Sequence, residues 1–113
     1  MSLRQEQSLF IKDVVKLLMF AEANGYEATG GELQRTPEQQ QIYLNTGKTK
    51  TLDSYHLKKL AIDLFFFKDG VILQTKDSLQ KLGDYWETLY CKNSWGGNWK
   101  GGFIDVPHWE RRA

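Results

Sequence analysis

The sequence is poor in the devices that reinforce many small proteins. It holds a single cysteine, Cys91, so an intramolecular disulfide and a zinc site built from paired thiolates are both excluded, and a reducing cytoplasm suits it. There are only two prolines, Pro37 and Pro107. No Pro- or Ser-rich linker, internal repeat or low-complexity tail divides the chain. Long apolar runs are missing too: Met1 to Gln7 is polar and the following apolar residues are broken by Lys12, Asp13 and Lys16, which leaves no secretory core and no membrane span. Charge is balanced, with fifteen basic against fourteen acidic side chains and a net charge of +1, so no bulk field draws the chain to nucleic acid or to an anionic membrane. The densest basic stretch, Lys48, Lys50, Lys58 and Lys59, lacks interleaved aromatics and reads as a solvated face. Function is expected to reside in a local site.

What is present suits one compact unit. The 113 residues are 41% hydrophobic and include four Trp, five Tyr and six Phe, enough for one core and too few for two, so residues 1–113 are expected to form a single domain. Phe10, Val14, Leu17, Leu18 and Ala21 recur at three- and four-residue intervals, predicting a helix from Arg4 to about Asn24 with Gly25 as its C-terminal cap. Tyr26 to Gln34 reads as a short strand and loop, and Thr36-Pro37-Glu38-Gln39 as the opening of a helix that stops before Gly47. Leu60 to Phe67 is of strand length, and Asp69-Gly70 followed by Val71 to Leu73 reads as a hairpin at the centre of the sheet. Asp77 is placed to cap a helix to about Tyr90 with Leu79, Leu82, Trp86 and Leu89 inward. A glycine-rich stretch, Trp95 to Gly102, then precedes a last strand over Phe103 to Trp109. This order predicts an α+β domain, helices against a small antiparallel sheet.

Asp63 does not fit a purely structural role. It lies within Leu60-Ala61-Ile62-Asp63-Leu64-Phe65-Phe66-Phe67, where an uncompensated carboxylate would cost several kcal/mol, so a cation is expected beside it. A lysine or arginine partner would serve, and so would a metal. His56 stands seven residues earlier, and His108, the other histidine of the chain, lies in Asp105-Val106-Pro107-His108-Trp109-Glu110. Two imidazoles and a carboxylate form one of the usual ligand sets for catalytic zinc, with water in the fourth position. Asp105 and His108 would face opposite sides of a regular strand. Pro107 supplies the expected bend that brings Asp105 to the same side. The tryptophans of Trp95 to Trp99 are read as core or as a stacking surface for substrate, and their glycines as room for a ligand or another backbone.

Ser54-Tyr55-His56, Ala61 and Asp63, followed by Asp105-Val106-Pro107-His108, resemble the zinc signature of the D-alanyl-D-alanine peptidases and bacteriophage L-alanyl-D-glutamate endopeptidases. The likeness runs from about Glu32 to Glu110, and the Asp-type distal motif after Trp95-Gly96-Gly97-Asn98-Trp99-Lys100 is similar to the endolysin branch. One position departs: the family usually has glycine where this chain has Lys59. The resemblance implies Zn²⁺ held by His56, Asp63 and His108, Asp105 as general base, Arg35 as a fork for a substrate carboxylate or carbonyl, and Ser54 as an orienting group. It implies a monomeric enzyme acting on the peptidoglycan stem peptide at the L-Ala to D-Glu bond, made in the cytoplasm and released to the wall. A D-alanyl-D-alanine carboxypeptidase or dipeptidase, and a non-catalytic module stabilised by zinc like the hedgehog signalling domain, stay open as alternatives.

Overall fold

The computed structural model describes residues 1–31, 58–100 and 102–112. Helix α1 spans Leu3–Ala23. Its start is set by Ser2 and Gln5, each side chain bonding the other's backbone N–H, a reciprocal capping box that satisfies two otherwise orphaned donors. At its far end Gly25 takes φ +85°, as the glycine cap requires. Phe10, Val14, Leu17 and Ala21 are buried on one face. The strand and loop expected after Tyr26 appears as β1, Glu27–Gly30; the helix expected after Thr36 lies outside the described residues.

Strand β2, Ala61–Lys68, is the axis of the sheet. One of its edges carries β1, with Glu27 to Gly30 opposite Phe67 to Leu64. The other edge is shared: β3, Val71–Leu73, pairs with residues 66–68, and β5, His108–Arg111, pairs with residues 61–63. The hairpin is therefore present, its turn made by Asp69 at φ 52° and Gly70 at φ 79°, the left-handed pair such tight turns need. Only its first strand is central, because β3 is short and β5 occupies the rest of that edge. Beyond β5 lies β4, Asn93–Trp95, a strand not anticipated in the glycine-rich stretch. All these pairings are antiparallel, and with the two α-helices of the described residues they give the expected α+β fold.

Two boundaries differ from expectation. Helix α2, Lys76–Leu89, is capped by Thr75, whose hydroxyl accepts from Ser78 N–H, and Asp77 falls in the first turn, where it faces the helix dipole favourably. The last strand is not Phe103 to Trp109 but His108–Arg111: Pro107 cannot donate to a ladder, and the chain turns at residues 106–107 before pairing begins.

The core lies between the helices and one face of the sheet. Trp109 is its hub, stacked on Trp95 at 5.5 Å and meeting Phe66 and Trp86 edge-on at 5.6 and 6.2 Å. Edge-to-face and offset contacts of this kind add to the burial itself. Arg111, only 3% exposed, closes the layer: its Nε donates to Glu6 of α1 at 2.6 Å and its guanidinium lies 3.8 Å over the Tyr90 ring. A charge buried this deeply is tolerable because it is paired and hydrogen-bonded.

Candidate functional site

Strand periodicity sorts the residues of β2 and β5. Leu64, Phe66 and Trp109 face the core, so Asp63 and His108 face the other way, and the register makes them direct cross-strand partners. Neighbours of this kind hold their side chains together on one face. Two residues forty-five positions apart in the sequence thus meet because β2 and β5 pair. His108 Nδ1 stands 3.8 Å from Asp63 Oδ1 and 3.9 Å from Asp105 Oδ2. Both separations are those of ionic neighbours, too long for hydrogen bonds.

Asp105 reaches this position through the bend expected at Pro107. His108 N–H donates to Asp105 C=O at 3.0 Å, and Asp105 N–H donates to Gly96 C=O at 3.1 Å. The approach to Gly96 is so close that a Cβ there would lie 2.0 Å from the Asp105 carbonyl oxygen. The glycines also frame Trp95, whose ring would be struck by a Cβ at Gly83 or Gly97 at 2.0 and 2.2 Å. Trp95 Nε1 donates to Val106 C=O at 2.8 Å, so the buried indole fixes the bend from below. Of the two readings of this stretch, Trp95 is core and the glycines admit another backbone. Trp99 is different: half-buried, it tilts over the His108 ring at 4.9 Å. With Ser94, Asn98, Lys100, Phe103 and Arg112 it lines a groove of about 520 Å³.

His108 is 5% exposed, and its other nitrogen is committed: Nε2 lies 2.6 Å from Glu110 Oε1. Burial, the largest influence on its pKa, favours the neutral ring, but the carboxylates of Asp63, Glu110 and Asp105 outweigh it and raise the pKa to about 9. Burial likewise works to raise the Glu110 pKa, and the His108 and Arg112 contacts reverse this, so the group is held below the usual range. Three carboxylates around one imidazole make a place that favours added positive charge. The donors suit zinc: two ligands each about 2.0–2.1 Å from a tetrahedral ion stand about 3.3 Å apart, roughly half an ångström closer than the observed 3.8 Å between Asp63 and His108. The described residues do not by themselves complete a metal site; His56, the third expected ligand, lies outside them, as do Arg35 and Ser54.

Glu110 is the site residue that sequence reasoning passed over. It closed the distal motif but had no role, because an acidic residue after His-Trp reads as the polar end of a strand. The signal was the period of two in His108-x-Glu110-x-Arg112, which places three interacting groups on one strand face. Lys59, the departure from the family pattern, has an exposed side chain and a left-handed backbone at φ 57°. Glycine suits that position because of the backbone, and Lys59 adopts the same left-handed conformation with its side chain exposed.

The family described as D-alanyl-D-alanine carboxypeptidase matches residues 47–111. An L-alanyl-D-glutamate peptidase of Listeria phage A118 is 36% identical over 96 residues, 82% of this chain, which spans about a third (33%) of that relative's length. A crystal structure of the Serratia marcescens L-Ala D-Glu endopeptidase ChiX superposes with a TM-score of 0.69 at 24% identity, covering 89% of this chain and 79% of the other, a likeness of fold.

Proposed function

We propose, from the premise that this chain belongs to the D-alanyl-D-alanine carboxypeptidase family, that residues 1–113 form one catalytic domain, a zinc peptidase that cuts the L-Ala to D-Glu bond of the peptidoglycan stem peptide. The observation that carries this reading is the pairing of Asp63 with His108 across β2 and β5, with Asp105 on the same nitrogen. The phage relative named for that bond favours the endopeptidase over the carboxypeptidase.

In this reading His56, Asp63 and His108 hold the zinc. A bound zinc ion supplies a water of lowered pKa and a Lewis acid for the scissile carbonyl. Asp105, more exposed than Asp63 (28% against 18% of the side chain), would take a proton from the attacking water and return it to the leaving amine. Arg35 holds a substrate carboxylate by two parallel hydrogen bonds, and Ser54 orients the bound peptide. A zinc site kept only for stability would not need Asp105, which disfavours the non-catalytic module. No described helix is long and apolar enough to cross a membrane; a monomer made in the cytoplasm and acting on the wall after release completes the proposal.

Digestion of purified peptidoglycan by the zinc-loaded protein, followed by mass spectrometry, tests it. New D-Glu amino termini are expected. Loss of terminal D-Ala alone would replace the endopeptidase with the carboxypeptidase, and no product from zinc-loaded protein would remove the enzymatic reading.

A further inference from the structure

We infer that Glu110 is a positioning residue for His108, held in turn by Arg112, and that this chain of contacts makes Nδ1 the nitrogen His108 offers to a metal. The inference rests on the proposed role of His108 as a ligand.

His108 and Glu110 share one face of β5, and Arg112 follows just past its end. His108 Nε2 lies 2.6 Å from Glu110 Oε1, and Arg112 Nε donates to Glu110 Oε2 at 2.5 Å. Both oxygens of the carboxylate are thereby engaged, so it cannot rotate away from the ring. A neutral imidazole carries one N–H and one lone pair. With Nε2–H donating to Glu110, the lone pair falls on Nδ1, the atom that faces Asp63 and Asp105. Trp99 over the ring and the Trp86 Nε1 bond to Glu110 C=O at 3.2 Å limit movement of both residues.

Burial makes a purely structural role for Glu110 uneconomical. At 4% exposure its carboxylate is costly to desolvate, and an apolar residue would fill the space more favourably. Ala61, its cross-strand partner, is fully buried and small, which leaves the carboxylate room beside the ring. A carboxylate behind a ligating histidine orients the ring and raises its basicity, and its loss usually weakens metal binding 10- to 100-fold. Arg112 is 53% exposed in its side chain and lines the Trp99 groove, so the outer end of the chain of contacts can be altered without touching the core.

The test uses zinc affinity by chelator competition and the nitrogen NMR signature of His108 in the zinc-loaded protein. Wild type should show an Nε2–H tautomer. Glu110→Gln should bind zinc about 10- to 100-fold more weakly, with a changed ligand-field spectrum when cobalt replaces zinc. Arg112→Gln, a surface change that spares the fold, should weaken zinc binding severalfold and so tests the inference if Glu110→Gln fails to fold. Zinc affinity within twofold of wild type in either folded variant, or an Nδ1–H tautomer in wild type, overturns the inference and leaves the peptidase proposal standing. A wild-type protein that binds no zinc removes the metal reading, and this inference with it.

Discussion

The two halves of β2 differ although they belong to one continuous strand. Residues 61–63 pair with β5, whose four residues are all buried, while residues 64–68 pair with β1, fully exposed, and with β3, largely so. The first half carries Asp63 and the expected chemistry, held by Trp109 beneath and by the Gly96 to Asp105 contact at its side. The second half supports the sheet with Phe66 inward and leaves Phe65, Val71 and Ile72 exposed. A site that must place a carboxylate and an imidazole within a few tenths of an ångström is built where neighbours leave least freedom. The other half tolerates a looser arrangement because nothing depends on its exact geometry.

This contrast can be broken most sharply at the chemistry itself. Asp105→Asn, which keeps the backbone contacts to Gly96 and His108, should lower peptidase activity roughly 100- to 10,000-fold while zinc content and thermal unfolding stay near wild type. Loss of zinc together with activity would make Asp105 a ligand. Next in size is the support beneath the site: Trp109→Ala should cost about 3–5 kcal/mol in urea unfolding, whereas Ile72→Ala, at the exposed end, should cost under about 1 kcal/mol. Equal losses would show that the two halves are not mechanically distinct.

Gly96→Ala sharpens the comparison by displacing rather than deleting. Its Cβ would meet the Asp105 carbonyl at 2.0 Å, so the turn must move, at about 1–3 kcal/mol for overpacking. Activity should fall further than stability accounts for, and unchanged kinetics would show that Asp105 needs no such support. Smallest is Lys59→Gly, just ahead of the buried half. Relief of the left-handed backbone should offset the added chain entropy and raise stability by up to about 1 kcal/mol, with activity unaltered. A fall in activity would place the Lys59 side chain in substrate binding after all.

The same contrast explains what could be read from the residues alone. Asp63 stood out because a charge interrupts an apolar run, and His108 because the chain has so few imidazoles. Chemistry of this kind is local and visible. That β5 starts at His108 rather than Phe103 depended on where a ladder partner becomes available after Pro107, a tertiary fact. The cap of α2 is Thr75 and not the expected Asp77, because Thr75 has the extended backbone of a cap and its hydroxyl accepts from Ser78 N–H, a relation fixed by the local backbone. Glu110 went unassigned because its partner lies two residues along the same strand, a relation meaningful only once that face is known to carry the site. The Lys59 departure was visible in the sequence, but the left-handed backbone angle at that position was not.

The bond between Glu6 and Arg111 joins residues 105 positions apart, and it bears on how this protein comes into being. Helix α1 precedes β5 in the chain, so its buried acid meets Arg111 only once β5 has been made. Asp63 must wait for the same strand to find His108. The core and the candidate site are therefore closed by the same late segment, and contact between distant parts of the sequence must precede both. A chain arranged in this way gains the Glu6–Arg111 pair and the Asp63–His108 pair only after β5 has been made, so chains stalled ahead of residue 108 would lack both.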